Sequence, residues 1–207
     1  MSHYFDHDPK VDSDRKTVSV IVAGDAFEFV TDAGVFSHGR LDAGTKILLN
    51  DAPPPATEGN LLDIGCGAGP ISLSLARRSP RARVWAVDVN ERALSLVRDN
   101  AKHLGLENIT AARPEDVPAD IEFDTIWSNP PIKVGKDELH SILDLWLPRL
   151  RDQGTAVLVV NKNLGSDSLA AWLERKGWNV RRLGSRRGYR LLEVSSSRRS
   201  ESGRIDD

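Results

Sequence analysis

From Asn60 to Val194 the sequence alternates short β-forming runs with helical ones, and that alternation restricts the fold more than any other feature. Strands are predicted at Leu61–Gly65, Arg83–Asp88, Ile109–Ala112, Phe123–Ser128, Thr155–Val160, Asn179–Leu183 and Tyr189–Val194. Helical patterns fall between them at Ile71–Arg78, Glu91–Leu104, Lys136–Arg151 and Ser166–Lys176. In the second of these, Leu94, Val97, Ala101 and Leu104 recur at helical spacing and define one apolar face. Gly177 follows the last helix as a stop signal. Strands joined through helices pair in parallel and leave helices on both faces of one sheet. The last two strands are joined only by a short turn around Gly184 to Gly188, so they are expected to pair as an antiparallel hairpin. The expected class is α/β, with a seven-stranded, mostly parallel sheet.

Upstream of Asn60 the pattern is different. Thr17–Val22 and Phe27–Val30 are rich in β-formers and are separated by Ala23-Gly24-Asp25-Ala26, which predicts an N-terminal β-hairpin extension. An irregular stretch from Gly34 leads to a short helix near Thr45 to Asn50, and Asp51–Gly59, with Pro53-Pro54-Pro55, reads as a stiff linker. The chain thus divides into a loosely held start (1–16), a hairpin and covering segment (17–59), a ligand-binding core (60–194) and a Ser-rich, charged tail (195–207) expected to be disordered. At 207 residues there is room for one α/β domain with a proper core and none for two large ones.

Composition excludes several classes. A net charge of −2 gives no global attraction to nucleic acid, so any such binding must be local. The single cysteine, Cys66, rules out an internal disulfide framework. The first residues lack the basic-then-apolar pattern of a signal peptide, and no run approaches the ~20 apolar residues of a membrane helix. His3, His7, His38, His103 and His140 have no metal-ligand spacing with the cysteine, so no metal site is expected. The expectation is a soluble cytoplasmic protein.

The first core strand runs into Asp63-Ile64-Gly65-Cys66-Gly67-Ala68-Gly69-Pro70. Glycines at 65, 67 and 69 let the backbone turn sharply and let a ligand approach where a Cβ would block it. In an open parallel sheet that crevice at the strand ends is where nucleotides bind. A dinucleotide fingerprint needs Gly-x-Gly-x-x-Gly, and Pro70 stands at its third position. The spacing is Gly-x-Gly-x-Gly with Asp63 ahead of it, which favours S-adenosylmethionine, whose amino group and sulfonium are cationic. Asp88, at the next strand end beside Val89, either accepts hydrogen bonds from ribose hydroxyls or caps the following helix; Asn90 is better placed as that cap. Cys66 reads as a small residue tolerated in a tight loop rather than as a nucleophile.

The fourth core strand ends in Asn129-Pro130-Pro131-Ile132. Two prolines after a strand end cannot continue a ladder and hold the backbone stiff. The Asn129 side-chain carbonyl and the Pro130 backbone carbonyl are two acceptors suited to the hydrogens of an exocyclic amine or amide. Such a nitrogen is a poor nucleophile because its lone pair is delocalised. Gripping its hydrogens favours a pyramidal nitrogen and stabilises the positive charge that develops on methylation.

Taken together, Asn129-Pro130-Pro131-Ile132, the loop from Asp63 to Gly69, and Asp88 resemble the "small-domain" group of class I S-adenosylmethionine-dependent methyltransferases. Within it the chain is similar to the guanine-N2 methyltransferases of small-subunit ribosomal RNA and their single-domain relatives. Gly34 to Thr45 and Ile132 to Lys136 match the same group, and the similarity runs from Tyr4 to Val194. The terminal β-hairpin on a parallel sheet is the mark of that Rossmann-like architecture. The resemblance implies that Leu41 to Thr45, with Asp42 and Thr45, lie over the cofactor's methionine end. It also implies that Phe36 walls the substrate pocket, the alternative for Phe36 being core packing. The cofactor contacts expected in this way are Asp42, Thr45, Asp63, Gly65, Cys66, Gly67, Gly69, Asp88, Val89, Asp116 and Asn129.

The sequence departs from related patterns at three points. Ile132 stands where adenine and glutamine methyltransferases carry a stacking aromatic, which suits the guanine-N2 group. After the third strand, where relatives place an acidic residue for the adenine amino group, Glu115 and Asp116 both qualify. The ribosomal enzymes often carry a duplicated inactive domain for which this chain has no room. Lys133 and Lys136 follow the site directly and suit a phosphate beside the target base. Arg77, Arg78, Arg81, Arg83, Arg181, Arg182, Arg186, Arg187 and Arg190 form further basic clusters that read as solvated surface or as an RNA guide. RNA guanine-N2 methylation is therefore the leading expectation. Methylation of a protein glutamine amide and a silent RNA-binding module are the alternatives.

Overall fold

Side-chain direction along the strands decides which helices each face meets. The computed structural model describes residues 11–130 and 135–196. Its elements run β1 (Lys16–Val22), β2 (Asp25–Thr31), α1 (Ala43–Asp51), β3 (Glu58–Ile64), α2 (Pro70–Arg78), β4 (Arg81–Val87) and α3 (Glu91–His103). They continue with β5 (Ile109–Ala112), β6 (Phe123–Ser128), α4 (Lys136–Trp146), β7 (Leu150–Asn161), α5 (Ser166–Arg175), β8 (Trp178–Arg186) and β9 (Tyr189–Ser196). Seven strands form one sheet in the order β5-β4-β3-β6-β7-β9-β8, and β1 pairs with β2 as a separate two-stranded sheet. Strands β5 through β7 are parallel, while β9 pairs antiparallel with both β7 and β8. The expected α/β architecture, with its terminal hairpin and N-terminal extension, is the observed one.

Alternation along the strands builds two cores. Leu61, Val84, Trp127, Val157 and Leu191 join α1, α2, α3 and the β1–β2 hairpin on one face. Leu62, Trp85, Ile126, Leu158 and Leu192 pack against α4 and α5 on the other. The hydrophobic effect accounts for both, since a strand buried on two faces must be apolar at successive positions. No helix among the described residues is long and apolar enough to cross a membrane.

Several boundaries differ from the expected ones. The helix predicted over Lys136–Arg151 ends at Trp146; a 3₁₀ turn over Leu147–Arg149 follows, and Leu150 and Arg151 already belong to β7. Pro148 is the cause, because its ring and missing N–H stop an α-helix. The turn expected over Gly184–Gly188 is only Arg187-Gly188, and Gly184 to Arg186 pair with β9. Both turn residues have positive φ (47° and 81°), as do Ala23 and Gly24 (49° and 81°) between β1 and β2. Such two-residue turns match the right-handed twist of their strands, so pairing starts at once and Asp25 and Ala26 join β2. The linker expected over Asp51–Gly59 is shorter, since Asp51 lies in α1 and Glu58 and Gly59 in β3. Ser195 and Ser196, assigned to the tail, pair with Asn179 and Trp178.

Candidate active site

Adjacent strands β4, β3 and β6 end side by side, with Ile64 opposite both Val87 and Ser128. The chain leaves β3 toward β4 through α2 but later returns on the other side of β3 as β6. That reversal opens a crevice at the strand ends, and the glycine loop lies in it. The loop is anchored by Gly65 N–H and Cys66 N–H, both donating to the Val87 carbonyl at 2.8 and 3.0 Å. Gly69 has φ 90°, and a Cβ there would meet Val97 Cγ2 at 2.9 Å. Only glycine lets the loop sit this close to α3.

Two carboxylates frame the loop. Asp63 is fully buried; its Oδ2 accepts from Ser72 N–H (3.0 Å) and Ser72 Oγ–H (2.5 Å), while Oδ1 has no hydrogen-bond partner. Burial pushes its carboxyl up to about 7, against the Ser72 hydrogen bonds and with a smaller contribution from Asp88. Asp88 accepts from Gly67 N–H through Oδ2 and from Asn90 N–H through Oδ1, each at 2.9 Å. Burial raises its pKa as well, opposed by the N–H groups of Asn90, Gly67 and Val89. Asp63 Oδ1 is free of protein partners, and Asp88 keeps acceptor capacity beyond the N–H groups it holds. Asn90 caps α3, accepting from Arg92 N–H and Ala93 N–H, so Asp88 is free of that duty. The Cys66 thiol is buried with Ala86, Leu94 and Val97, and burial raises its pKa well above the usual thiol range. Burial in this apolar setting favours the neutral thiol over a thiolate nucleophile.

Beside the loop, the Asn129 Nδ2 donates to Asp42 Oδ1 (2.7 Å) and to Thr45 Oγ1 (3.0 Å). Asp42 is the N-cap of α1, and the same Oδ1 accepts from Gly44 N–H and Thr45 N–H at 2.8 and 3.1 Å. Asn129 is half-buried, Pro130 is buried, and Phe36 is 39% exposed with its Cβ 3.8 Å from where a Gly67 Cβ would stand. The crevice therefore gathers a flexible-backbone cradle, two carboxylates and an oriented carboxamide.

Residues 26–193 match the family model described as "Methyltransferase small domain". The chain belongs to this family. It is 34% identical to the uncharacterized protein YbxB of Bacillus subtilis over 93% of this chain and 97% of that one. It is 35% identical to the ribosomal RNA small subunit methyltransferase C of Ectopseudomonas mendocina over 90% of this chain and 56% of that one. Among solved structures, the T. thermophilus 16S rRNA N2 methyltransferase (RsmC) in complex with AdoMet and guanosine superimposes with a TM-score of 0.77 at 26% identity, covering 91% of this chain and 52% of that one. The chain thus spans about half the length of these ribosomal RNA methyltransferases.

This small-domain methyltransferase is an S-adenosylmethionine-dependent enzyme, and its crevice suits that molecule. The orphaned Asp63 Oδ1 is an acceptor that a cationic amino group would satisfy, and Asp88 stands at the strand end where ribose hydroxyls are gripped. Of the expected site residues, Asp42, Thr45, Asp63, Gly65, Cys66, Gly67, Gly69, Asp88, Val89, Asn129, Pro130 and Phe36 surround this crevice or its walls. Glu115 and Asp116 sit exposed on a 3₁₀ turn after β5, with Glu115 paired to Arg113 at 2.9 Å. Lys136 is exposed at the start of α4. Pro131, Ile132 and Lys133 lie outside the described residues.

The arginine clusters are mostly engaged by the methyltransferase itself. Arg77 forms a bidentate pair with Asp25, Arg78 donates to the Leu49 carbonyl, and Arg83 lies over Trp85. Arg81 pairs with Glu58, Arg181 with Glu193, Arg186 with Asp51, and Arg182 and Arg190 with Asp167. These contacts tie most of the clustered arginines to neighbouring carboxylates, carbonyls and rings.

Three site-building residues carried no sequence signal. Ser72 holds Asp63, and Asn100 ties α3 to β2 and to the loop. The Tyr189 ring packs so close to α1 that a Cβ on Gly44 would meet it at 2.8 Å.

Proposed function

We propose that this methyltransferase modifies the exocyclic N2 amino group of a guanine in RNA, ribosomal RNA foremost. The observation that carries the reading is the orientation of Asn129. Its amide hydrogens are taken by Asp42 and Thr45, which leaves its carbonyl Oδ1 as the acceptor for an incoming amine. The ribosomal RNA methyltransferase C relatives and the solved structure that holds guanosine favour guanine over other amines.

In this reading Asn129 Oδ1 and the Pro130 carbonyl accept the two hydrogens of the guanine amino group. That grip turns the nitrogen lone pair toward the glycine loop and stabilises the positive charge growing on nitrogen. The bound cofactor supplies an electrophilic methyl group on a sulfonium. The N–C bond forms as the S–C bond breaks, and the surplus proton leaves to water. Asp63 Oδ1 takes the cofactor's amino group, and Asp88 takes its ribose hydroxyls in addition to the backbone N–H groups it already holds. Phe36 walls the base, Lys136 meets a neighbouring phosphate, and Glu115 or Asp116 meets the adenine amino group. A base inside a duplex would have to be flipped out or already unpaired.

The test is methyl transfer from labelled S-adenosylmethionine into total RNA and total protein from cells lacking the enzyme. Label in RNA, released on digestion as N2-methylguanosine, is the expected result. Label in protein alone overturns it in favour of a glutamine amide. Absence of label in both, with cofactor bound, overturns it in favour of an RNA-binding module.

A further inference from the structure

Asn129 and Asp42 are 87 residues apart in the chain, yet their side chains meet at 2.7 Å. The geometry points to Asp42 and Thr45 as positioning residues that clamp the Asn129 carboxamide in one orientation, rather than as contacts to the cofactor. The inference rests on Asn129 being the residue that grips the substrate amine.

A free carboxamide can rotate by half a turn and exchange its donor and acceptor ends. Here only one orientation is permitted. Rotating the group would set its carbonyl oxygen against the Asp42 carboxylate, acceptor against acceptor. In the observed orientation the NH2 group has two hydrogens and two acceptors, Asp42 Oδ1 and Thr45 Oγ1. The consequence for catalysis is direct: a rotated Asn129 would present NH2 to a substrate NH2, a repulsive pair, while the clamped one presents a carbonyl.

The clamp is itself held. Asp42 is fixed by the N-terminal N–H groups of Gly44 and Thr45, which converge on the same oxygen that receives Asn129. Thr45 is 4% exposed, so its hydroxyl has little freedom to turn away. Tyr189, from the turn end of β9, closes the outer side of Gly44, and only a residue without Cβ fits between that ring and the Asp42 carboxylate. A charged acceptor on the amide N–H also polarises the group and increases the negative charge on Oδ1, where a cation develops in the transition state.

The test separates positioning from cofactor contact. In Thr45→Val the shape is kept and the acceptor removed. The expected result is a kcat for RNA methylation lowered about 10- to 100-fold, as for a small misplacement of a reacting group. The dissociation constant for S-adenosylmethionine stays within about twofold, since uniform binding is untouched, and Thr45→Ser recovers most of the lost rate. Independently of any substrate, the side-chain 15N–1H signals of Asn129 in the intact protein shift and exchange faster with water in Thr45→Val. Asp42→Ser, whose shorter hydroxyl keeps the helix cap but withdraws the oxygen from Asn129, gives the same spectral readout, should Thr45→Val fold poorly. Cofactor affinity falling in step with kcat, or Asn129 signals that do not move in either variant, would overturn the clamp. Unchanged RNA methylation in Asn129→Ala, with the spectral shifts present, would instead overturn the substrate reading and leave the clamp standing.

Discussion

Asn100 and Ala68 meet beneath the glycine loop: the Asn100 Nδ2 donates to the Ala68 carbonyl at 2.9 Å. The same amide donates to the Val30 carbonyl (2.9 Å) and accepts from Val30 N–H (2.7 Å). One side chain on α3 therefore saturates backbone groups of β2 and of the cofactor loop, and couples the N-terminal hairpin to the binding crevice.

Asn100→Leu keeps the branched shape and removes all three bonds. Three backbone hydrogen bonds at roughly 1 kcal/mol each predict a loss of about 3 kcal/mol. Urea denaturation checks the magnitude. Cofactor affinity should fall as well, because the loop loses its tie to α3; a destabilised variant with unaltered affinity would show that the hairpin and loop are energetically independent.

Gly44→Ala sets two effects against each other. Alanine is worth about 1 kcal/mol over glycine inside a helix. The new Cβ, however, meets Tyr189 at 2.8 Å and Asp42 Oδ1 at 3.0 Å. Overpacking of this kind costs roughly 1–3 kcal/mol. The expected outcome is a small net loss of stability in thermal melts and a larger loss of methyl transfer, because the displaced groups are those that hold Asn129.

What was legible in the sequence is what is contiguous in the chain. The glycine spacing, Asp88 with Asn90, and Asn129-Pro130 each depend on residues within a few positions of one another. Their chemistry follows from local backbone geometry. Asp42 with Asn129, and Asn100 with Val30, are separated by 87 and 70 residues, and a lone asparagine in a helix has no local signature. The family resemblance brought Asp42 and Thr45 to the crevice without revealing which neighbour they touch.

Element boundaries failed for a different reason. Ala23 and Arg187 occupy positive φ, a region that Asn, Asp and Gly favour, so the two short turns were hidden. There the pairing of flanking strands outweighs the cost of a Cβ in that conformation. At Leu150–Gly154 the residues are poor strand formers, yet β7 extends through them because Leu150 pairs with Phe123 and fills the α4 side of the core.

Asn129→Ala removes the gripping carbonyl and leaves the glycine loop and both carboxylates in place. Methyl transfer should drop by about 10²- to 10³-fold, comparable to deleting a preorganised transition-state hydrogen bond. Isothermal calorimetry with S-adenosylmethionine should give an affinity within about twofold of the parent, because binding and chemistry use different groups. Turnover that survives the change would sink the mechanism.

Asp63 makes the methyltransferase sensitive to pH in two opposite ways. Its carboxyl is pushed up from the ordinary 3.8 to about 7 in the folded protein. Between those values the native state holds a proton that the unfolded chain has released. Its contribution to stability is therefore fully present below about pH 4 and is lost as pH rises toward 7. Asp88 is raised by burial and acts with the same sign. Cofactor binding runs the other way: a cationic amino group on Oδ1 prefers the ionised carboxylate, so affinity should tighten with rising pH up to about 7 and binding should release a proton below it. Calorimetry at pH 6 in two buffers of different ionisation enthalpy measures that proton directly. Asp63→Asn should abolish the release, weaken binding, and flatten part of the stability slope, leaving the part due to Asp88. An unchanged proton release in that variant would assign the titration to Asp88 and remove Asp63 from the amino-group site.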